Sequence, residues 1–172
     1  IGFSAMMHGY MVFDANGEMA MQAEHIPVHL GSMPASVRAV ASKPHLPGVS
    51  WFLNDPYSGG THLPDITVIS PVHDDAGDEV LFWVASRGHH AEIGGITPGS
   101  MPARSRSVEE EGVLFDAWLL VEDGRFKEAE TRTLLTAGAY PSRNPDGNLA
   151  DLRAQVAANA RGAEEVASMI SH

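Results

Sequence analysis

Two short clusters of potential metal ligands lie within residues 54–99, each surrounded by glycine and proline. The first contains an imidazole and two carboxylates: Asp55, His62 and Asp65. The second contains two imidazoles and one carboxylate: His89, His90 and Glu92. Imidazole nitrogen and carboxylate oxygen are a ligand mixture that suits Zn, Mn and Fe(II). The clusters therefore indicate a metal site. The alternative is a turn region whose polar residues only cap strands.

His62 and Asp65 are three residues apart in the sequence His-Leu-Pro-Asp. Pro64 fixes its own φ and biases Leu63 towards an extended conformation, so this pair is expected on a stiff loop rather than on a helix. Asp55 precedes a proline and is either a further ligand or an acceptor that orients an imidazole.

A predicted β-hairpin connects the two clusters. Residues 66–72 and 80–85 are rich in apolar and β-branched side chains, and the polar segment 73–78 between them is typical of a turn. If the two strands pair, Asp65 at the start of the first lies across from residues 86–89 at the end of the second. The hairpin would then bring the two clusters to one end of a sheet.

Two further hairpins are predicted from turn residues and apolar runs. The first pairs residues 5–13 with 18–22 across Asp-Ala-Asn-Gly, and the other pairs 113–121 with 124–127 across Glu-Asp-Gly. Together with the helices below, these hairpins predict an α+β fold.

Three helices are expected. One begins near Ser32 as its N-cap, after an extended piece at residues 25–29 whose His25 and His29 are further candidates for the site. A short helix covers residues 129–136. A long amphipathic helix begins near Leu149, capped by Asp146 or Asn148, because its apolar residues recur every three or four positions.

Composition limits the functional classes. The chain has 172 residues, of which 44% are hydrophobic and 19% charged, which is typical of one globular domain. A net charge of -11 argues against a nucleic-acid partner. No apolar run is long enough to span a membrane, and the absence of cysteine excludes thiolate chemistry. These features favour a cytoplasmic protein.

The chain resembles the hydantoinase B/oxoprolinase family over nearly its whole length. The words that carry the resemblance are long and specific: N-D-P-Y-S-G-G-T-H-L-P-D at 54–65, R-G-H-H-A-E-I-G-G-I-T-P-G-S-M-P at 87–102, and further matches at 25–40, 109–113 and 143–155. Because chains of this family are several times longer, residues 1–172 are interpreted as one domain from the N-terminal part of such a chain.

The resemblance implies the metal-bearing subunit of an ATP-dependent amidohydrolase acting on hydantoin or 5-oxoproline-type cyclic amides. In this family, a hydantoinase A-like partner with an actin fold binds ATP and phosphorylates a carbonyl oxygen. This chain itself carries no P-loop. The alternatives are a subunit of an ATP-dependent ketone carboxylase, or an assembly subunit with a vestigial site.

The resemblance also implies site residues. The metal ligands would be His62, Asp65 and either His89 or His90, with His89 preferred, and the metal would be Mn in preference to Zn. An acidic ligand expected near residues 1–4 has no match in this sequence. The remaining cluster members, Asp55, His90 and Glu92, are the candidate catalytic residues.

Overall fold

Most of the alternating apolar segments join one antiparallel sheet. The computed structural model describes residues 6–22, 28–99 and 101–170. Its strands are β1 Met6–Asp14, β2 Met19–Gln22, β3 Ser50–Leu53, β4 Asp65–His73, β5 Val80–His89, β6 Trp118–Glu122 and β7 Arg125–Phe126. They lie in the order β2-β1-β5-β4-β3-β6-β7. The predicted α+β class is confirmed, whereas His25 and residues 1–4 lie outside the described residues.

The central hairpin has the predicted register. β4 and β5 pair antiparallel, with Asp65 opposite His89 and Thr67 opposite Arg87. Side chains alternate between the faces of a strand, so Asp65 and Thr67 share one sheet face with their partners on β5. The end of this hairpin therefore joins the two ligand clusters.

The helices pack on both faces of the sheet. They are α1 Val28–Ala41, α2 Val108–Glu111, α3 Glu128–Leu135 and α4 Pro145–Ile170. One apolar core lies between α1 and the sheet and includes Met33, Val37 and Trp83. The core on the other face includes Ile66 and, from α4, Leu152. None of the described helices is long and apolar enough to cross a membrane.

Helix α1 begins earlier than predicted. Val28 and His29 are helical rather than extended, and Pro34 lies inside the helix. Ser32 is not its N-cap, because it lies inside the helix, and its hydroxyl accepts a hydrogen bond from Arg87 at 2.5 Å. The sequence pattern predicted a capping role for the Ser32 side chain, but this side chain makes a tertiary contact with Arg87 instead.

Helix α4 also begins before its predicted start. Asn144 caps it, since its side-chain oxygen accepts the backbone N–H of Gly147 at 3.1 Å and Pro145 occupies the first helical position. The predicted caps were wrong. Asp146 pairs with Arg132 at 2.6 Å, and Asn148 turns inward.

The third hairpin is shorter than predicted, because β6 begins at Trp118 and not at residue 113. The backbone N–H of Phe115 donates to the side chain of Asn54 at 2.6 Å, and Ala117 has a φ of 48°. The segment before β6 is therefore bound to the loop that follows β3 instead of forming a strand.

Candidate metal centre

Three side chains converge at the open end of the β4–β5 hairpin. His62, Asp65 and His89 each offer a ligand atom, and these atoms all lie within 4.8 Å of one another. One oxygen of Asp65 is 2.8 Å from Nδ1 of His89, and the other is 3.2 Å from Nε2 of His62. The two imidazole rings stack with their centroids 4.9 Å apart. The carboxylate thus lies between two imidazoles.

The Asp65 carboxylate is held in its charged form. Burial alone would raise its pKa, but hydrogen bonds from His62, Thr61 and His89 hold that pKa well below its usual range. The Thr61 hydroxyl donates to Asp65 at 2.6 Å and orients it. The side chain of Asp65 is 5% exposed, whereas those of His62 and His89 are 26% and 25% exposed. Solvent therefore reaches the cluster from the imidazole side.

The loop that carries His62 is pressed against helix α1. Asp55 caps the short 3-10 turn Pro56–Ser58 by accepting the backbone N–H of Tyr57 at 2.9 Å. Gly59 follows with a φ of 94°, and a Cβ atom there would overlap the backbone nitrogen of Ser36. Only glycine fits this conformation and this close approach. The glycine next to the turn thus allows the loop to bring His62 to Asp65.

His90 lies on the other side of the sheet from His89. It is completely buried, with Nδ1 2.9 Å from the side-chain oxygen of Asn148 and Nε2 3.2 Å from that of Gln155. Both partners belong to α4. Burial lowers the pKa of His90. The hydrogen bonds to the two amide oxygens act in the opposite direction, because they favour the charged form of the ring. The structure therefore brings His89, and not the ring of His90, to the cluster.

Glu92 makes its hydrogen bonds to residues outside the cluster of His62, Asp65 and His89. Its carboxylate accepts hydrogen bonds from five donors, four of them around the start of α4: Gly94 N, Ser142 Oγ, Arg143 N, Asn144 N and Asn148 Nδ2. Burial alone would raise the pKa of Glu92, but these donors hold it below its ordinary value. Among the described residues, the group of candidate ligands includes none of Asp55, His90 and Glu92. Their expected catalytic roles stay predictions.

Sequence reasoning missed two polar residues next to the cluster. Thr61 orients Asp65, and Arg87 lies fully buried two residues before His89. A signal for Arg87 was present, because it alternates with Trp83 and Ala85 on the inward positions of an apolar strand. No such spacing signal marks Thr61.

The chain is similar to known proteins over most of its length. The family profile described as hydantoinase B/oxoprolinase matches residues 8–172. The 5-oxoprolinase of Saccharomyces cerevisiae is 44% identical over 167 residues, which cover 92% of this chain and 13% of that protein. The chain thus spans only a small part of the curated relatives it matches.

Two solved structures share the fold. The ATP-dependent caprolactamase from Pseudomonas jessenii matches with a TM-score of 0.83 and 27% identity, over 98% of this chain and 29% of that one. The nucleotide-free structure of acetone carboxylase matches with a TM-score of 0.80 and 19% identity, over 95% of this chain and 21% of that one.

Proposed function

Because the chain belongs to the hydantoinase B/oxoprolinase family, we propose that it forms the metal-bearing part of an ATP-dependent amidohydrolase. The substrate class that we propose is a cyclic amide of the hydantoin or 5-oxoproline type. We assign ATP to a partner subunit with a hydantoinase A-like actin fold. The activity requires that partner and the rest of the protein.

The convergence of His62, Asp65 and His89 is the observation that carries this proposal. Two imidazole nitrogens and one carboxylate oxygen fit Zn or Mn. Ligand atoms held by one ion at about 2.1 Å lie about 3.0–3.4 Å apart. One ligand atom from each residue lies within 4.8 Å of the others, and each oxygen of Asp65 contacts one imidazole nitrogen, at 2.8 and 3.2 Å, so shifts of the side chains would bring the set to that spacing. We favour Mn on the basis of the family resemblance.

A bound divalent ion would supply Lewis acidity, polarising a carbonyl oxygen or activating water. The chain itself contributes position and charge. Thr61 donates to Asp65 and fixes the orientation of the carboxylate. The exposed sides of His62 and His89 give a substrate access from solvent, whereas Asp65 lies behind them.

The test compares histidine variants of the intact protein. We expect His62→Ala and His89→Ala each to weaken both metal binding and ATP-dependent cyclic amide hydrolysis. Each loss should exceed the roughly 10–100-fold loss that is typical of residues that only support a ligand. His73→Ala is the matched control, because His73 lies at the far end of β4 and should retain both. Elemental analysis and turnover with the partner subunit measure the two effects.

Three results would contradict the proposal. Full metal content in both histidine variants would refute the ligand assignment. Turnover that depends on a ketone and bicarbonate would replace hydrolysis with carboxylation. A wild-type complex that is folded, metal-free and inactive with cyclic amides would indicate a non-catalytic assembly role.

A further inference from the structure

We propose that Arg87 is the positioning residue of the candidate metal centre, holding the loop of His62 against the strand end that carries Asp65 and His89. The proposal rests on the metal site proposed above. Arg87 lies on β5, two residues before His89, and its side chain is completely buried between the sheet and helix α1.

The guanidinium group uses all five of its N–H donors. Nε donates to Thr67 Oγ1 at 2.7 Å, Nη1 to Ser32 Oγ at 2.5 Å and His29 Nδ1 at 3.2 Å, and Nη2 to Ser36 Oγ and Gly59 O, both at 3.0 Å. Because an arginine side chain only donates, Nδ1 of His29 must accept, which fixes the proton of its neutral ring on Nε2. Nδ1 of His29 is thus occupied as the acceptor of a hydrogen bond from Arg87.

The five acceptors come from three parts of the fold. Thr67 belongs to β4, His29, Ser32 and Ser36 belong to α1, and Gly59 belongs to the loop that continues to His62. The Ser36 hydroxyl also donates to the Gly59 carbonyl at 2.7 Å, so arginine and serine hold the same backbone oxygen. The planar fork therefore links the loop, the helix and the strand pair around the cluster.

All five acceptors of Arg87 are uncharged, and the carboxylate of Asp65 lies on the same face of the hairpin. In the register of β4 and β5, Thr67 faces Arg87 and Asp65 faces His89, two positions further on the same side. The buried arginine and the carboxylate that we assign as a ligand are thus neighbours on one face of the same hairpin.

The experiment uses two variants and one control in the intact protein. Arg87→Lys keeps the charge but removes the five-donor fork, and Ser36→Ala removes one acceptor that also holds Gly59. The control is Ser42→Ala, a serine just after the same helix that donates only to Ala39 O at 2.7 Å. Measurements are Mn²⁺ affinity by calorimetry, the visible absorption of bound Co²⁺, and amide hydrogen exchange of residues 54–64 without metal.

We expect Arg87→Lys to weaken Mn²⁺ binding by about 10–100-fold, the range for groups that orient metal ligands. The Co²⁺ spectrum should change in both test variants, and residues 54–64 should exchange faster. Ser42→Ala should match the wild type in all three measurements. A change in the Co²⁺ spectrum of a folded variant reports ligand geometry, which a role in overall stability alone would leave unaltered.

The proposal is overturned if folded Arg87→Lys has wild-type Mn²⁺ affinity, Co²⁺ spectrum and hydrogen exchange. If Arg87→Lys does not fold, the same three wild-type values in Ser36→Ala overturn it. If the wild-type protein binds no divalent metal, the proposed metal function fails. Hydrogen exchange then tests the role of Arg87 by itself: unchanged exchange of residues 54–64 in both variants rejects that role.

Discussion

At the scale of single residues, Glu92 serves the fold through its hydrogen bonds. Its carboxylate joins Gly94 to the segment that starts α4, accepting from the backbone N–H of Gly94 at 2.8 Å, from Ser142 Oγ at 2.5 Å and from the backbone N–H of Asn144 at 3.0 Å. A glutamine has the same shape but carries no charge, and its NH2 group would face donors. Glu92 therefore provides a direct test of a partly buried carboxylate that stabilises the chain.

We predict that Glu92→Gln lowers the free energy of unfolding at pH 7 by about 1–3 kcal/mol, because several donors, some of them partly buried, lose a charged acceptor. The pKa of Glu92 in the folded protein lies below its ordinary value of 4.5, so the folded state favours the charged form. This stabilisation is fully present above pH 4.5 and is lost as the pH falls through the lowered pKa. Urea unfolding at pH 7, 4 and 3 should show the difference between variant and wild type shrinking.

The matched control for this measurement is the exposed Glu79. Glu79→Gln should remain within about 0.5 kcal/mol of the wild type at pH 7. Equal unfolding curves for Glu92→Gln and the wild type at pH 7 would show that the hydrogen bonds of Glu92 contribute nothing measurable to stability.

Residue types and strand register were sufficient to predict the cluster of His62, Asp65 and His89. They were not sufficient to separate His89 from His90, since adjacent residues have the same chemistry and only the face of the sheet distinguishes them. Nor did they exclude Glu92, because a carboxylate in a loop rich in glycine binds metal, substrate or backbone equally well by composition. Local sequence alone does not separate these roles.

At the scale of elements, α4 approaches β1 closely at Gly162. A Cβ atom at Gly162 would overlap the hydroxyl oxygen of Tyr10. That hydroxyl is buried and has no hydrogen-bond partner among the described residues, and burial raises the pKa of Tyr10 to about 12. The helix and the strand are thus matched in shape at this point, but not in hydrogen bonding.

We predict that Gly162→Ala destabilises the protein by about 1–3 kcal/mol, because the added methyl group forces Tyr10 or the helix to move. Tyr10→Phe should be neutral or slightly stabilising, since it removes a buried polar group that lacks a partner. In the double variant, the loss should be smaller than in Gly162→Ala, because the nearest overlapping atom is gone. Thermal unfolding of the three variants measures this coupling.

Gly31→Ala is the control, as Gly31 also lies within a helix but has no described atom within 4 Å of the position of its Cβ. It should raise stability by up to about 1 kcal/mol. If Gly162→Ala changes the stability in the same direction as Gly31→Ala, α4 and β1 are not in close contact at Gly162.

Periodicity predicted which elements exist better than where they begin. The three hairpins and the long helix follow from alternation and from apolar spacing, which depend on local sequence. The predicted starts of α1 and β6 were wrong. Near these starts, Ser32 is hydrogen-bonded to Arg87 and Asn54 to Phe115, and both partners are distant in sequence. No local rule contains those partners.

At the scale of the whole molecule, the sheet separates two polar networks. Arg87 and Asp65 lie on the face of α1. On the opposite face, Gln155 of α4 donates to the carbonyls of Ile66 at 2.9 Å and Ser86 at 3.1 Å, and Asn159 donates to Val68 O at 3.0 Å. The long helix is therefore hydrogen-bonded to the sheet that supports the cluster.

If the proposed centre binds metal, its occupancy should stabilise the whole fold. Mn²⁺ at about 100 times its dissociation constant should add about 2.7 kcal/mol and raise Tm by about 5–10 °C, and a chelator should reverse the shift. His62→Ala should melt at the same temperature with and without Mn²⁺, whereas His73→Ala should keep the wild-type shift. A shift of wild-type size in His62→Ala would place the stabilising ion elsewhere.

The β4–β5 hairpin has a consequence for the order in which the chain folds. Asp65 and His89 face each other across two strands that follow one another in sequence, and His62 lies just before the first. Closing a short loop costs little entropy, and local pairings form quickly. We therefore expect the three side chains to meet early, before α4 docks, so that a nascent chain has its ligand set assembled while later segments are still being synthesised.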